Sequence, residues 1–297
     1  MTTTQPDVPS LGAEGPPPAA PIERCVSCGA ELATPFCPAC GEKRASDRHY
    51  TLLHFAREAI EHIAQLDGTV WRSVKTLVAK PGELTAAYMR GERLRYMKPL
   101  QLFVVVSIAY FLVSFATHVR TFDTPLRFQV AQATKPARMV EQRLAERHTT
   151  MAQYAELFDH TSTTQAKTLV IVMVPAFALL VAAVEFRKRR YALQHVVFAL
   201  HTYTALLLIL MAVDLLALHP LLTLLQQAAR LLRTNADSVF SLVTLGGMFA
   251  YLLPALVRAY GDRRPIAIMK TVILLAGMVF ILLAYRLLLF YTTFWAT

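Results

Sequence analysis

Residues 196–218 read VVFALHTYTALLLILMAVDLLAL, and Asp214 is the only charged side chain in the stretch. As an α-helix it would extend about 34 Å, enough to cross a hydrocarbon layer of ~30 Å. Water is absent there, so each backbone N–H and C=O must find its partner within the segment, and only a helix does this for a single stretch. Four further runs have the same character, at approximately 100–117, 168–184, 239–257 and 266–294. Five such runs predict an all-α integral membrane protein with five transmembrane helices. Composition agrees. Of 297 residues, 55% are hydrophobic and 17% charged, against about 25% charged in a typical soluble chain. A collagen-like chain, a disulfide scaffold and a wholly disordered chain are excluded.

The net charge is +10. On a soluble protein that excess would suggest nucleic acid, but here it falls in clusters. Arg90, Arg93, Arg95 and Lys98 precede the first run. Arg187, Lys188, Arg189 and Arg190 separate the second from the third, and Arg258, Arg263, Arg264 and Lys270 lie between the fourth and fifth. If all five runs span, the three clusters share one side, which the positive-inside rule makes cytoplasmic. The N-terminus is then expected in the cytoplasm and the C-terminus outside. The opposite side receives 219–238, with only Arg230 and Arg233, and 119–167, where acids dilute the bases. In the latter, Val140, Leu144, Met151, Tyr154, Ala155 and Phe158 recur at near-helical spacing, which predicts one or two helices on the outer face. Phe290, Tyr291, Phe294 and Trp295 suit an aromatic belt at the outer interface.

Ahead of the spans lie three parts. Residues 1–24 are rich in Pro, Thr and Ala and read as a disordered tail; they lack the basic and apolar regions of a signal peptide. Residues 25–41 hold all four cysteines as Cys25-x2-Cys28 and Cys37-x2-Cys40, each pair followed by glycine. Two such knuckles facing one another supply four thiolates, the closed tetrahedral set of structural Zn²⁺. A segment this short has almost no core, so metal binding would supply its folding energy. Disulfides need an oxidising compartment, redox Cys-x2-Cys a βαβ context, and catalytic zinc an open position. Leu32 and Phe36 are expected to pack beside the metal. Arg24, Lys43, Arg44 and Arg48 are balanced by Glu23, Glu31, Glu42 and Asp47, which argues against nucleic acid and leaves a protein contact or a folded cap.

Residues 50–98 carry amphipathic helical patterns. Leu52, Leu53, Ala56, Ile60 and Ile63 make one stripe; Val70, Trp71, Val74, Leu77 and Val78 make another, opposite Arg72, Ser73, Lys75, Thr76 and Lys80. Pro81-Gly82 ends that helix, and Leu84, Ala87 and Tyr88 begin the next. Such helices either lie in the inner headgroup plane, with bases on anionic lipid, or pack on the bundle. His54, Glu58 and His62 share one helix face, which reads as a solvated polar face before a second metal site.

The two Cys-x2-Cys-Gly knuckles, then Pro81-Gly82, Tyr88, Gly91-Glu92-Arg93, Tyr96 and Pro99 leading into a membrane helix, resemble a bacterial family of zinc-ribbon membrane proteins known as a domain of unknown function. The resemblance spans residues 25–118 and implies a bacterial inner-membrane location without an assigned activity. The five-span layout is also similar in architecture to the Yip1-like membrane proteins.

Ionisable groups within spans are costly and mark candidate sites. Asp214 in the third run and Arg286 in the fifth fall at similar depths and are expected to pair. His195, His201 and Tyr203 are candidates for a polar path in the inner half of the third run, with Glu185 the nearest acid; hydrogen-bonded packing is the plainer alternative. Pro175 and Pro254 are expected to kink their helices, and Gly246-x3-Ala250 to allow close packing. No nucleophile elbow, phosphate loop or His-Glu-x2-His motif occurs. The reading is a non-enzymatic membrane protein whose zinc ribbon is structural or binds a cytoplasmic protein partner. The alternative is a small-solute or ion transporter using polar residues of the third and fifth spans.

Overall fold

The computed structural model describes residues 24–25, 28–32, 34–41, 68–117, 122, 124–132, 134–186, 191–217 and 236–297. The chain divides into two compact units, Met1–Arg44 and Ala45–Thr297. Most of the expected tail, the 52–63 stripe, the His54/Glu58/His62 set, Arg187–Arg190, Arg230 and Arg233 lie outside the described residues.

The second unit is helical. Its elements are α1 (Thr69–Ala79), α2 (Glu83–Arg90), α3 (Pro99–Thr117), α4 (Leu126–Gln132), α5 (Thr134–Arg147), α6 (Met151–Leu169), α7 (Met173–Val184), α8 (Ala192–Ala217), α9 (Ala236–Tyr260) and α10 (Arg264–Ala296). Five stretches are long and apolar enough to cross a membrane: Pro99–Thr117, Met151–Val184, Ala192–Leu215, Val239–Tyr260 and Arg264–Ala296. The second is longer than the apolar run at 168–184, because α6 leads through one 3₁₀ turn, Val170–Val172, straight into α7. The turn has a local cause. Pro175 has no N–H to offer the Ile171 carbonyl, and the Met173 N–H turns back to Val170. A capping box between Thr150 and Gln153 starts α6.

Helix α8 is the centre of the bundle. Of its apolar window 72% is buried, against 22–33% for the other four stretches. It packs against α3, α7, α9 and α2, while α10 closes over α9, α7 and α6. The main core runs from Leu77 and Leu84 through Leu102, Phe177, Val197 and Leu207 to Leu252 and Leu274. The turn between α9 and α10 is three residues long, with Gly261 at positive φ receiving the helix end, so the two helices are antiparallel neighbours.

A smaller cluster joins α4–α6 to the end of α10. It holds Leu126, Val140, Tyr154, Phe158, Phe290 and Phe294. Asp159 accepts the Leu126 N–H at 2.8 Å, the Tyr154 hydroxyl meets Thr297 Oγ1 at 3.1 Å, and the Arg143 guanidinium lies 4.3 Å from the Phe294 ring centroid. The expected aromatic belt is therefore divided. Phe290 and Phe294 are buried under α6, and only Tyr291 and Trp295 face outward.

Two other expectations change. On α1, Ser73 is expected on the polar face but is fully buried: its hydroxyl receives the Met97 N–H at 2.8 Å and donates to the Thr69 carbonyl at 2.7 Å. Leu77 is buried, whereas Trp71 and Val78 of the apolar stripe are exposed. On α9, Gly246 has nothing within 4 Å of where a side chain would begin, and it is Gly247 that approaches Ile209 of α8. The small-residue contact is displaced by one position, a rotation of about 100° around the helix.

Between α1 and α2, Pro81-Gly82 lies directly on the α9 backbone. The Pro81 carbonyl accepts from Arg258 Nη1 at 2.8 Å. Gly82 has φ +84°, and a β-carbon there would sit 2.6 Å from the Ala255 carbonyl oxygen and 2.8 Å from its Cα. The contact is backbone against backbone, so nothing flexible can yield. Gly82→Ala is expected to destabilise the membrane unit by more than the ~1–3 kcal/mol of ordinary overpacking. The measurement is thermal melting of the purified full chain in detergent. Gly68→Ala, which meets open space, is expected to melt within a degree or two of the native chain.

Candidate functional site

The four cysteines converge. Their Sγ atoms all lie within 4.8 Å of one another, with Cys25–Cys40 at 3.6 Å and Cys28–Cys37 at 3.5 Å. Each knuckle closes on a glycine at positive φ: Gly29 N–H donates to the Cys25 carbonyl and Gly41 N–H to that of Cys37, both at 2.8 Å. A tetrahedral ion with metal–sulfur bonds of about 2.3 Å needs sulfurs about 3.8 Å apart, so the donor set fits a thiolate-bound metal. Desolvation opposes ionisation of Cys37, yet hydrogen bonds from the Cys40 and Ala39 backbone outweigh it and leave this thiol at about 7. Cys25 and Cys37 are buried and Cys28 and Cys40 exposed. Phe36, expected beside the metal, is 55% exposed.

In the membrane unit, the polar side chains concentrate on the half of α8 nearest the Arg258 and Arg263 end. Gln194 Nε2 donates to the Ala259 carbonyl at 3.1 Å, and His195 Nδ1 meets the Tyr260 hydroxyl at 2.9 Å with the rings stacked. His201 Nδ1 meets Thr85 Oγ1 of α2 at 2.9 Å. Tyr203 packs edge-on against Phe177 of α7. The three residues expected to share a polar path therefore face three different helices, α9, α2 and α7. Offsets of six and eight residues along a 3.6-residue turn separate them around the axis.

His201 is 2% exposed, and its Nε2 has no hydrogen-bond partner among the described residues. It faces a cavity of about 10 Å³ lined by Leu84, Tyr88, Glu92, Arg93, Tyr96, Met97 and Pro99. That volume is near the minimum for one water. Around it, Arg93 lies over the Tyr88 ring at 5.2 Å, and Arg90 bridges Glu83 at 2.7 Å and Glu92 at 2.8 Å. Gly91, at φ +93°, ends α2 and turns the Glu92-Arg93 pair toward this spot.

The expected pair of Asp214 and Arg286 is not formed. Both carboxylate oxygens of Asp214 are buried with no hydrogen-bond partner among the described residues. The ion pairing lies elsewhere. Lys270 Nζ sits 2.6 Å from Glu185 Oε1 and 3.0 Å from Asp262 Oδ1, and all three residues are buried. Burial pushes the Glu185 carboxyl up, against the pull of Lys270. The triad ties the end of α7 and the α9–α10 turn to the first third of α10. A sequence signal existed, since one base and two acids sit at three span ends on one side. Charge counting assigned the base to topology and left the acids single.

Comparison with known families adds one finding. A family model described as "Protein of unknown function (DUF3667)" matches residues 67–111. No curated protein and no solved structure matches the chain. The matched segment supplies α1, α2, the Gly91–Pro99 connection and most of α3. Seven of the eight residues lining the His201 cavity belong to it, and His201 itself does not.

Replacing Lys270 by Met leaves two acids buried together. The expected loss is about 3–5 kcal/mol, the cost of orphaning a buried charge. The triple variant Lys270→Met, Glu185→Gln, Asp262→Asn is expected to recover most of it. Melting of both variants in the same detergent measures the difference.

Proposed function

We propose that this chain is a non-enzymatic multi-pass protein of a bacterial inner membrane. Its N-terminus faces the cytoplasm, and its four-cysteine cluster is a zinc ribbon that recruits a cytoplasmic protein partner. The observation that carries the reading is the sulfur geometry: four thiols within 4.8 Å, in a unit whose described residues have no strand and one isolated bridge, Arg24 with Glu31. Such a unit has little besides the metal to hold it. Cys25, Cys28, Cys37 and Cys40 would hold Zn²⁺, and a full thiolate shell gives it structural chemistry. Phe36 supplies the contact. An apolar side chain that is 55% exposed beside the cysteine knuckle suits an interaction surface. The basic residues Arg90, Arg95, Arg258 and Arg263 at one end of the bundle support a cytoplasmic face against anionic lipid.

The transporter reading has less support. The described polar groups of α8 are turned to separate neighbours, and the cavity at His201 has room for about one water.

Metal analysis of the purified full chain is expected to give one zinc per chain. Cys28→Ser with Cys37→Ser is expected to lose it while leaving the melting of the membrane unit unchanged. Phe36→Ala is expected to keep the zinc and lose the partner that co-purifies from cross-linked membranes. Absence of zinc at any stoichiometry would sink the metal assignment; a partner set identical in all variants would sink the recruiting role.

A further inference from the structure

Among the described residues, the apolar helices leave a large concavity on the outside of the bundle. It is a groove of about 520 Å³ between α3 and the 3₁₀ turn that joins α6 to α7. Its walls are mostly apolar, with Phe103, Ile108, Leu112 and Phe115 from α3 and Ile171 opposite, interrupted by Ser107 and Thr168. Ile108, Leu112, Phe115 and Ile171 are all exposed. One end carries a charge. Lys167, exposed and preceding the apolar run 168–184, lines the groove together with Phe115, two residues before α3 ends. Lys167 directly precedes the apolar run 168–184, the position at which a cation meets the headgroups if that run spans.

From Phe115 to Phe103 is twelve residues of helix, about 18 Å. One leaflet of hydrocarbon is about 15 Å deep, so the α3 wall runs for about one leaflet, faced by Lys167–Ile171 over about 6 Å of it. The lining is mostly apolar with a cation at one end, the pattern that suits an acyl chain below an anionic headgroup.

We propose that this groove is a lipid site that seats one acyl chain of an anionic phospholipid, with the phosphate on Lys167. The chain fills a surface that side chains from either helix leave open, and the ammonium selects a headgroup with net negative charge. The site is distinct from the four-cysteine cluster and from the His201 cavity, and it stands whether or not the ribbon recruits a partner.

The test is photo-cross-linking of the full chain in phosphatidylcholine nanodiscs doped with phosphatidylglycerol that carries a photoactivatable acyl chain. Cross-links are expected to concentrate on residues 103–115 and 167–171. Ile108→Trp, which fills the groove from an exposed position, is expected to remove most of them; Leu112→Trp gives the same reading should the first variant fail to insert. Lys167→Gln is expected to cut the preference for phosphatidylglycerol over a photoactivatable phosphatidylcholine by about fivefold, while cross-links to the apolar wall persist. Cross-links spread evenly over the exposed faces of α9 and α10 would overturn the site. So would a Trp variant that labels like the native chain. An unchanged headgroup preference in Lys167→Gln would overturn the phosphate contact. No lipid cross-link on 103–115 together with a dimer by mass in the same nanodiscs would overturn the lipid site and assign the groove to a second copy.

Discussion

A helix enclosed by its neighbours carries buried polar side chains at low cost only where those neighbours meet them. Helix α8 carries Gln194, His195, His201, Thr202, Tyr203 and Thr204 into such a position, all of them buried. Lipid offers no hydrogen bonds, so an unmet group there costs several kcal/mol. Much of the surrounding architecture answers this demand. Tyr260 and the Ala259 carbonyl come from the end of α9, and Thr85 from α2. Helix α2 is short, and its depth against α8 follows from the close contact of Gly82 with Ala255. The segment ahead of the first candidate span is thus a packed part of the bundle along its α2 half, while Trp71 and Val78 of α1 are exposed.

The same end of the bundle solves a second electrostatic problem. Two acids and one base are buried where α7, α9 and α10 terminate or begin. Each carboxylate alone would be costly in so apolar a setting, and Lys270 offsets both. Asp214, at the other end of α8, has no such arrangement among the described residues. The two ends of the central helix are therefore built differently: at one, Gln194, His195 and His201 each bond to a neighbouring helix, while at the other the Asp214 carboxylate is buried with no hydrogen-bond partner among the described residues.

The four-cysteine cluster and the bundle follow separate rules. In the cluster, chemistry is concentrated in four sulfurs and two glycine turns, and spacing alone dictates the donor set. In the bundle, apolar area and helix length decide existence, and contacts between distant residues decide everything finer. The family match falls on neither extreme. It covers the segment where a surface-like sequence becomes the first span, and that segment builds most of the His201 cavity.

Whatever depends on local pattern was legible in the chain before it folded. Run length and apolarity specify five candidate spans, because a backbone in lipid has one way to satisfy itself. Cys-x2-Cys spacing specifies four converging thiols, because a knuckle is a turn of fixed size. Which side chains meet is a property of the packed bundle. Depth along two helices made Asp214 and Arg286 look like partners, but depth says nothing about rotation, and a helix turns 100° per residue. The same missing angle put Ser73 on the outside, gave Gly246 the contact that Gly247 makes, and aligned His195, His201 and Tyr203 along one path when they face three helices. Lys270 found Glu185 and Asp262 from 85 and 8 residues away in the chain. Pairings of that kind are fixed by how the other helices pack around α8, and no local pattern in the sequence records that packing.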